Sequence, residues 1–142
     1  MLASQILREK GDTVYTSRPG ETVEAAAALL HTRRVGALVV LNEDRTVVGI
    51  VSERDIIRVL AEEGAGALQK TLAECMTRDV VFAEPSETID ALMGRMTDRR
   101  LRHLPVCVDG RLVGIISIGD LVKTKIAEVE AEASGLKAYI AL

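Results

Sequence analysis

Two seven-residue stretches carry the residue types that can do chemistry. Gly49-Ile50-Val51-Ser52-Glu53-Arg54-Asp55 returns as Gly114-Ile115-Ile116-Ser117-Ile118-Gly119-Asp120. The shared pattern is Gly, two β-branched aliphatics, Ser, two variable residues and Asp. It falls where a strand-like apolar run gives way to a helix-like one. At a helix start, Ser with Asp three residues on makes a capping box, hydroxyl and carboxylate satisfying free helix N–H groups. The same geometry suits a ligand. A helix N-terminus offers N–H donors and a positive dipole end to an anion. A carboxylate one turn in can accept from both hydroxyls of a ribose, and the Ser hydroxyl can reach sugar or phosphate. Capping and ligation can coexist. The variable pair differs, Glu53-Arg54 against Ile118-Gly119, so two such seats are not equivalent. Arg54 is placed to reach a phosphate or a second subunit.

The elements that hold these motifs are written twice. A shift of 66 aligns Val14 with Val80, Pro19 with Pro85, Thr22 with Thr88, Arg33-Arg34 with Arg99-Arg100, and Leu38 with Leu104; after one deleted loop residue the shift is 65. Each copy starts with a short extended piece, Thr13–Thr16 or Asp79–Phe82. A Pro-containing turn leads to Thr22 or Thr88, which can cap a helix reaching Thr32 or Asp98. Two strands follow, 37–41 with 47–52 and 104–108 with 112–117, joined by Asn42–Arg45 and by Asp109-Gly110, a strong hairpin signal. Both pairs are apolar nearly throughout and call for cover on both faces, or on one face plus a partner. A second helix begins after Ser52 and after Ser117. The fold class is α/β (α+β), two tandem β-α-β-β-α units. Segment 4–10 resembles 70–76, Ile6 matching Leu72, so each copy has a short lead-in helix. This gives a first unit over 1–65 and a second over 66–133, with Gly64-Ala65-Gly66-Ala67 as linker. Ser134-Gly135 is expected to end the last helix near Ala133, leaving 134–142 as an apolar tail able to pack on a partner.

Composition narrows the function. The 142 residues have net charge −3, 48% hydrophobic and 27% charged residues, no Trp, one Phe and two Tyr. A base pocket is therefore walled by aliphatics. No apolar run reaches the roughly 20 residues that span a bilayer, and the start, Met1 to Arg8, does not read as a signal peptide. Cys75 and Cys107 have neither disulfide-framework nor zinc spacing. Cys107 reads as a buried strand residue and Cys75, near the linker, as the more exposed. The reading is a cytoplasmic chain with no membrane and no nucleic-acid partner, since a basic face is lacking.

The duplicated unit, the Gly-h-h-Ser-x-x-Asp ending (h, an aliphatic residue) and Arg102-His103-Leu104-Pro105-Val106 resemble a tandem pair of CBS domains, a Bateman module, over residues 4–130. The resemblance implies two units packed through their sheets with pseudo-two-fold symmetry. It implies a homodimer of such pairs, and AMP, ADP, ATP, NAD(H) or S-adenosylmethionine bound in clefts between copies. Carried over by position, Asp55 and Asp120 hold ribose hydroxyls, with Ser52 and Ser117 beside them. Gly36-Ala37 and Arg102-His103, continuing into Leu104-Pro105, lie near phosphate and base. The backbone at Val14-Tyr15 and Val80-Val81 reads adenine, with Thr77 just upstream. Copy one departs from the pattern with Val39 where copy two has Pro105, and with Gly36-Ala37 where copy two is basic. Arg102 and His103, near Arg99 and Arg100, suit phosphate; the alternative for them is a solvated charged edge. His31, at a helix end, reads as a surface residue.

No catalytic role or catalytic cofactor is expected. The chain has no phosphate-binding Gly-rich loop, dinucleotide fingerprint, zinc-protease motif or nucleophile elbow. A ligand-free dimerisation scaffold is the alternative; a nucleotide-processing enzyme or a DNA-binding regulator ranks below it. The 142 residues hold no separate effector domain, so a signal would be read by another, unidentified protein.

Overall fold

The computed structural model describes residues 1–141. The element order is α1 (Ala3–Lys10), β1 (Thr16–Ser17), α2 (Val23–Arg33), β2 (Ala37–Leu41), β3 (Val47–Ser52), α3 (Glu53–Glu63), a 3-10 helix (Gly64–Gln69), α4 (Leu72–Cys75), α5 (Ile89–Arg99), β4 (His103–Val108), β5 (Arg111–Ser117) and α6 (Ile118–Ala141). The strands form a three-stranded sheet, β1-β2-β3, and a two-stranded sheet, β4-β5. Contacts divide the chain into two compact units. One holds Thr13–Val81 with Asp109–Leu112; the other holds Met1–Asp12, Phe82–Val108 and the chain from Val113 on.

In the unit of the first repeat, β2 is buried at every position while β3 alternates. Its core joins Val23, Ala26 and Leu30 of α2, Leu38 and Val40 of β2, Val51, Ile56 and Val59, and Leu72, Cys75 and Met76. Cys75 is thus buried, not the exposed thiol expected from its place near the linker. Thr22 caps α2, its hydroxyl accepting from Ala25 N at 3.1 Å, and Thr88 caps α5 from Ala91 N at 3.2 Å. Both helices end on a left-handed residue, Arg34 and Arg100, each at φ 54. In the other unit Ile89, Leu92, Met96, Leu104, Val106, Ile116 and Leu121 are buried. The turn after β4 takes the positive φ at Asp109 and Gly110 that the Asp-Gly pair predicts.

Several expectations need correction. The leading strands are shorter than 13–16 and 79–82 suggest. β1 runs parallel to β2 over only two residues, and the second copy has only an isolated parallel bridge, Ala83 with Val106. One substitution explains the difference between copies. Val39 N–H donates to Tyr15 O at 3.2 Å. Its counterpart, Pro105, has no N–H, so the ladder stops at Ala83, which donates to Pro105 O and accepts from Cys107 N–H. The Gly64–Ala67 linker is not loose; it opens a 3-10 helix in which Ala67 is fully buried. The last helix does not stop at Ala133. It continues through Ser134-Gly135 to Ala141, because one glycine costs only about 1 kcal/mol against alanine and Ala, Glu, Lys and Leu surround it. Of the tail, Leu142 lies outside the described residues.

The lead-in helices are equivalent at a shift of 69, not 66, and they trade places. Ala3 N–H donates to Glu87 O and Ser4 N–H to Pro85 O; Leu72 N–H donates to Glu21 O and Ala73 N–H to Pro19 O. Leu2 bridges Thr88 as Thr71 bridges Thr22. Gln5 closes onto Leu2 N–H as Glu74 closes onto Thr71 N–H. The N-terminal helix therefore packs with the second repeat, and residues 66–81 pack with the first.

The motif glycines make room for these straps. A Cβ at Gly49 would lie 2.5 Å from Met76 Sδ and 3.0 Å from the Thr77 carbonyl; at Gly114 it would lie 2.6 Å from Leu7 Cδ2. Met76 can rotate but the Thr77 backbone is pinned by two bonds to Ile50. We expect Gly49→Ala to destabilise by about 1–3 kcal/mol and Gly114→Ala by less. Leu7→Ala added to the latter should recover part of the loss, as read by urea unfolding. Equal losses at the two glycines would refute this account.

Candidate functional site

Each β-strand that ends in the motif Ser passes straight into a helix. Ser52 and Ser117 close β3 and β5, and the next residues open α3 and α6. The capping box forms at both. Ser52 N–H donates to Asp55 Oδ2 at 2.9 Å and Asp55 N–H to Ser52 Oγ at 3.3 Å. Ser117 N–H donates to Asp120 Oδ2 at 2.8 Å and Asp120 N–H to Ser117 Oγ at 3.1 Å. The neighbouring strand start is tied in the same way. Glu53 N–H donates to Gly36 O at 3.0 Å, and Ile118 N–H to Arg102 O at 2.8 Å.

In the unit of the first repeat this gathers Gly36, Ala37, Ser52, Asp55 and Thr77. Ala37 pairs with Ser52 across the sheet. Thr77 exchanges backbone bonds with Ile50 and points its hydroxyl at Asp55 Oδ1, 3.4 Å away. Val14 and Tyr15 are half-buried before β1, and Arg54 is exposed in the first turn of α3. Asp55 is well covered, its side chain 7% exposed. Besides Ser52 it accepts from Arg58 Nη1 at 3.0 Å, while Arg58 Nη2 reaches Cys75 O at 3.3 Å. Arg58 was missed in the sequence, although its place one turn after Asp55 is a visible signal.

In the other unit the gathered residues are Arg102, His103, Ser117 and Asp120. Arg102 is exposed, and His103, first residue of β4, is half-buried. Leu104 and Pro105 are buried, so they offer a ligand backbone only. Val80 and Val81, which close the main segment of the first repeat's unit, are half-buried and outside any strand. The unexpected member is Lys10. Its ammonium donates to Asp120 Oδ2 at 2.7 Å and to Ile115 O at 2.9 Å. Nothing local in the sequence signals a partner 110 residues away, and the 66-residue register conceals it. Asp120 is less covered than Asp55, with a side chain 23% exposed. Burial pushes its carboxyl up, but the Lys10 ammonium and the Ser117 bonds outweigh this and hold it below the ordinary aspartate range.

Other features stand apart. A hollow of about 630 Å³ lined by Arg18, Pro19, Gly20, Glu21 and residues 41–44 lies at the Leu41 end of β2, opposite Ala37, and holds none of the expected residues. Arg33 sits 5.2 Å over the Tyr15 ring. Burial raises the thiols of Cys75 and Cys107, which leaves both protonated at neutral pH. Among the described residues no three His, Cys, Asp or Glu side chains group as metal ligands, and no helix is long and apolar enough to cross a membrane.

A carboxyl depressed in the native state adds stability that is complete above its unfolded pKa and is lost as pH falls through the native value. Stability should therefore drop as pH falls below about 4. Asp120→Asn should make that drop shallower without removing it, because Glu87, lowered by Arg95, contributes in the same direction. Thermal melts across pH 2–7 check this, and superimposable slopes would contradict the Asp120 assignment.

The CBS domain family profile matches residues 11–62 and again 72–126. The chain is 32% identical over 145 residues to the CBS domain-containing protein CBSX3, mitochondrial, of Arabidopsis thaliana, covering 96% of this chain and 70% of that one. Its fold is similar to the crystal structure of the CBS-domain containing protein ATU1752 from Agrobacterium tumefaciens, with TM-score 0.86, 43% identity, and coverage of 87% and 92%. It also resembles the CBS domain pair of protein MJ0100, solved in complex with 5-methylthioadenosine and S-adenosyl-L-methionine, with TM-score 0.81, 27% identity, and coverage of 90% and 98%. With two matches that together span most of the sequence, and the capped strand-to-helix junction formed in both, the chain belongs to the CBS domain family as a tandem pair.

Proposed function

We propose that this CBS pair is a non-catalytic regulatory module that binds an adenosine-type nucleotide, AMP, ADP, ATP or NAD(H). The Asp120 seat is the stronger of its two. The observation that carries this reading is the half-covered Asp120 carboxylate at the start of α6, with Lys10 beside it and Arg102 and His103 opening the adjacent strand. The carboxylate suits a pair of ribose hydroxyls. Lys10, Arg102 and the N-terminus of α6 suit phosphate. The MJ0100 pair, which its structure holds with methylthioadenosine and S-adenosylmethionine, supports an adenosine core. The cationic set here favours a phosphate-bearing form of it.

The first seat reads differently. Asp55 is filled by Ser52, Arg58 and Thr77, and that favours a structural role there, or weaker binding in which Arg58 gives way. A homodimer of pairs, a cytoplasmic setting with reduced thiols, and an effector protein that reads the bound state complete the proposal.

Thermal shift with AMP, ATP and NADH tests it. At a hundredfold excess over Kd, one site adds about 2.7 kcal/mol, a rise of several degrees. Asp120→Ala should remove most of that rise, measured against its own ligand-free melting temperature, while Asp55→Ala should remove little. A rise that survives Asp120→Ala refutes the ribose assignment. No rise with any nucleotide would leave the scaffold reading, and turnover of the nucleotide would indicate an enzyme.

A further inference from the structure

Helix α6 carries an apolar stripe that its own unit does not use. Leu121 and Thr124 are buried, but Val122, Ile126, Val129, Leu136, Tyr139 and Ile140 are exposed, from 42% at Val122 to 77% at Tyr139. With Ala133, also exposed, the positions 122, 126, 129, 133, 136 and 140 alternate in steps of four and three. That is the spacing of a coiled-coil seam, not of an ordinary surface helix. Ile126, Ala133 and Ile140 take the first core position of each heptad, and Val122, Val129 and Leu136 take the second. Ile126 and Ile140 at the first with Leu136 at the second follow the two-stranded preference, whereas Val122 and Val129 at the second do not.

The flanking charges select the occupant and its direction. Lys125 and Glu132 lie on one flank of the stripe, and Lys123, Glu130 and Lys137 on the other. Two copies side by side, parallel and in register, set Lys125 against Glu130 of the partner subunit and Glu132 against Lys137 of the partner subunit. Both pairs are attractive and each occurs twice. Run antiparallel with the same core residues matched, the flanks set Lys123 against Lys137, Glu130 against Glu130 and Glu132 against Glu132, every pair repulsive. Lys125 already contacts Asp90 at 3.1 Å, but Asp90 is largely exposed and Lys125 partly so; such a pair holds little energy and can be exchanged.

We infer that α6 is a dimerisation seam in which two copies of this chain form a parallel, in-register, two-stranded coiled coil over residues 122–140. This rests on the homodimer proposed above and names its interface. The full-length protein should sediment as a dimer. Leu136→Asp, at an exposed site beyond the packed part of α6, should raise the dimer dissociation constant at least about tenfold with an unchanged circular dichroism spectrum. Glu132→Lys should weaken the dimer, and Glu132→Lys with Lys137→Glu should restore it. Oxidised Ala133→Cys should cross-link to itself, since only the parallel register sets residue 133 against its own copy; the wild type under the same oxidant measures any contribution of Cys75 and Cys107. A dimer unaffected by Leu136→Asp overturns the seam and spares the homodimer. A seam-dependent dimer without the self-cross-link or the charge-swap rescue overturns the parallel register. A monomeric wild type overturns seam and homodimer together, and its binding to phosphatidylcholine vesicles would assign the stripe to a lipid surface.

Discussion

The reciprocal bond between a serine and an aspartate at the end of a strand fixes the rest of this structure. A strand cannot pass directly into a helix without leaving helix N–H groups unmet. Ser52 with Asp55, and Ser117 with Asp120, meet them from both sides at once. With no loop spent on the turn, the helix start stays beside the strand start next to it, as the Glu53 to Gly36 and Ile118 to Arg102 bonds record. Everything placed near the carboxylate follows from that closeness. Three residues before the serine, a residue without Cβ lets a strap from elsewhere in the chain lie flat on the strand.

The straps make the two seats differ. At Asp55 the strap brings a threonine hydroxyl and α3 brings an arginine, and the carboxylate is filled from within. At Asp120 the strap brings a lysine, which both charges the seat and keeps the carboxyl ionised. The same backbone therefore presents a closed ion pair in one unit, Asp55 with Arg58, and a half-open one in the other, Asp120 with Lys10. The sequence difference between Gly36-Ala37 and Arg102-His103 acts in the same direction.

Most of the architecture was legible because duplication doubles every signal. β2 and β3 take the bounds that their apolar runs predict, and the Thr22 and Thr88 caps form as spaced. What was not legible depended on partners distant in sequence. Pro105 marks the end of a parallel ladder, but only the donor role of Val39 in the other copy shows why. The lead-in register was misread because Ile6 and Leu72 are both apolar, whereas the informative pair was Gln5 and Glu74, each closing on a backbone N–H. Ser134-Gly135 signals a break by propensity alone, and a helix with strong formers on both sides passes through it. For the site, Ser and Asp were readable from spacing, and the strand starts only through the family resemblance. Lys10 was not, because its partner lies 110 residues on.

The exchange of lead-in segments has a consequence for synthesis. Residues 13–81 hold everything that the first repeat's core and strap require, apart from four residues of the later hairpin, and can condense as soon as they leave the ribosome. Residues 1–12 are made before the first repeat, yet Glu87, Gly114 and Asp120, which they meet, are made after it. Residues 1–12 therefore wait for these partners until positions 85–120 have been made. Translational pauses, tags or chaperones acting there would be felt in the other half of the protein, where the more open carboxylate stands.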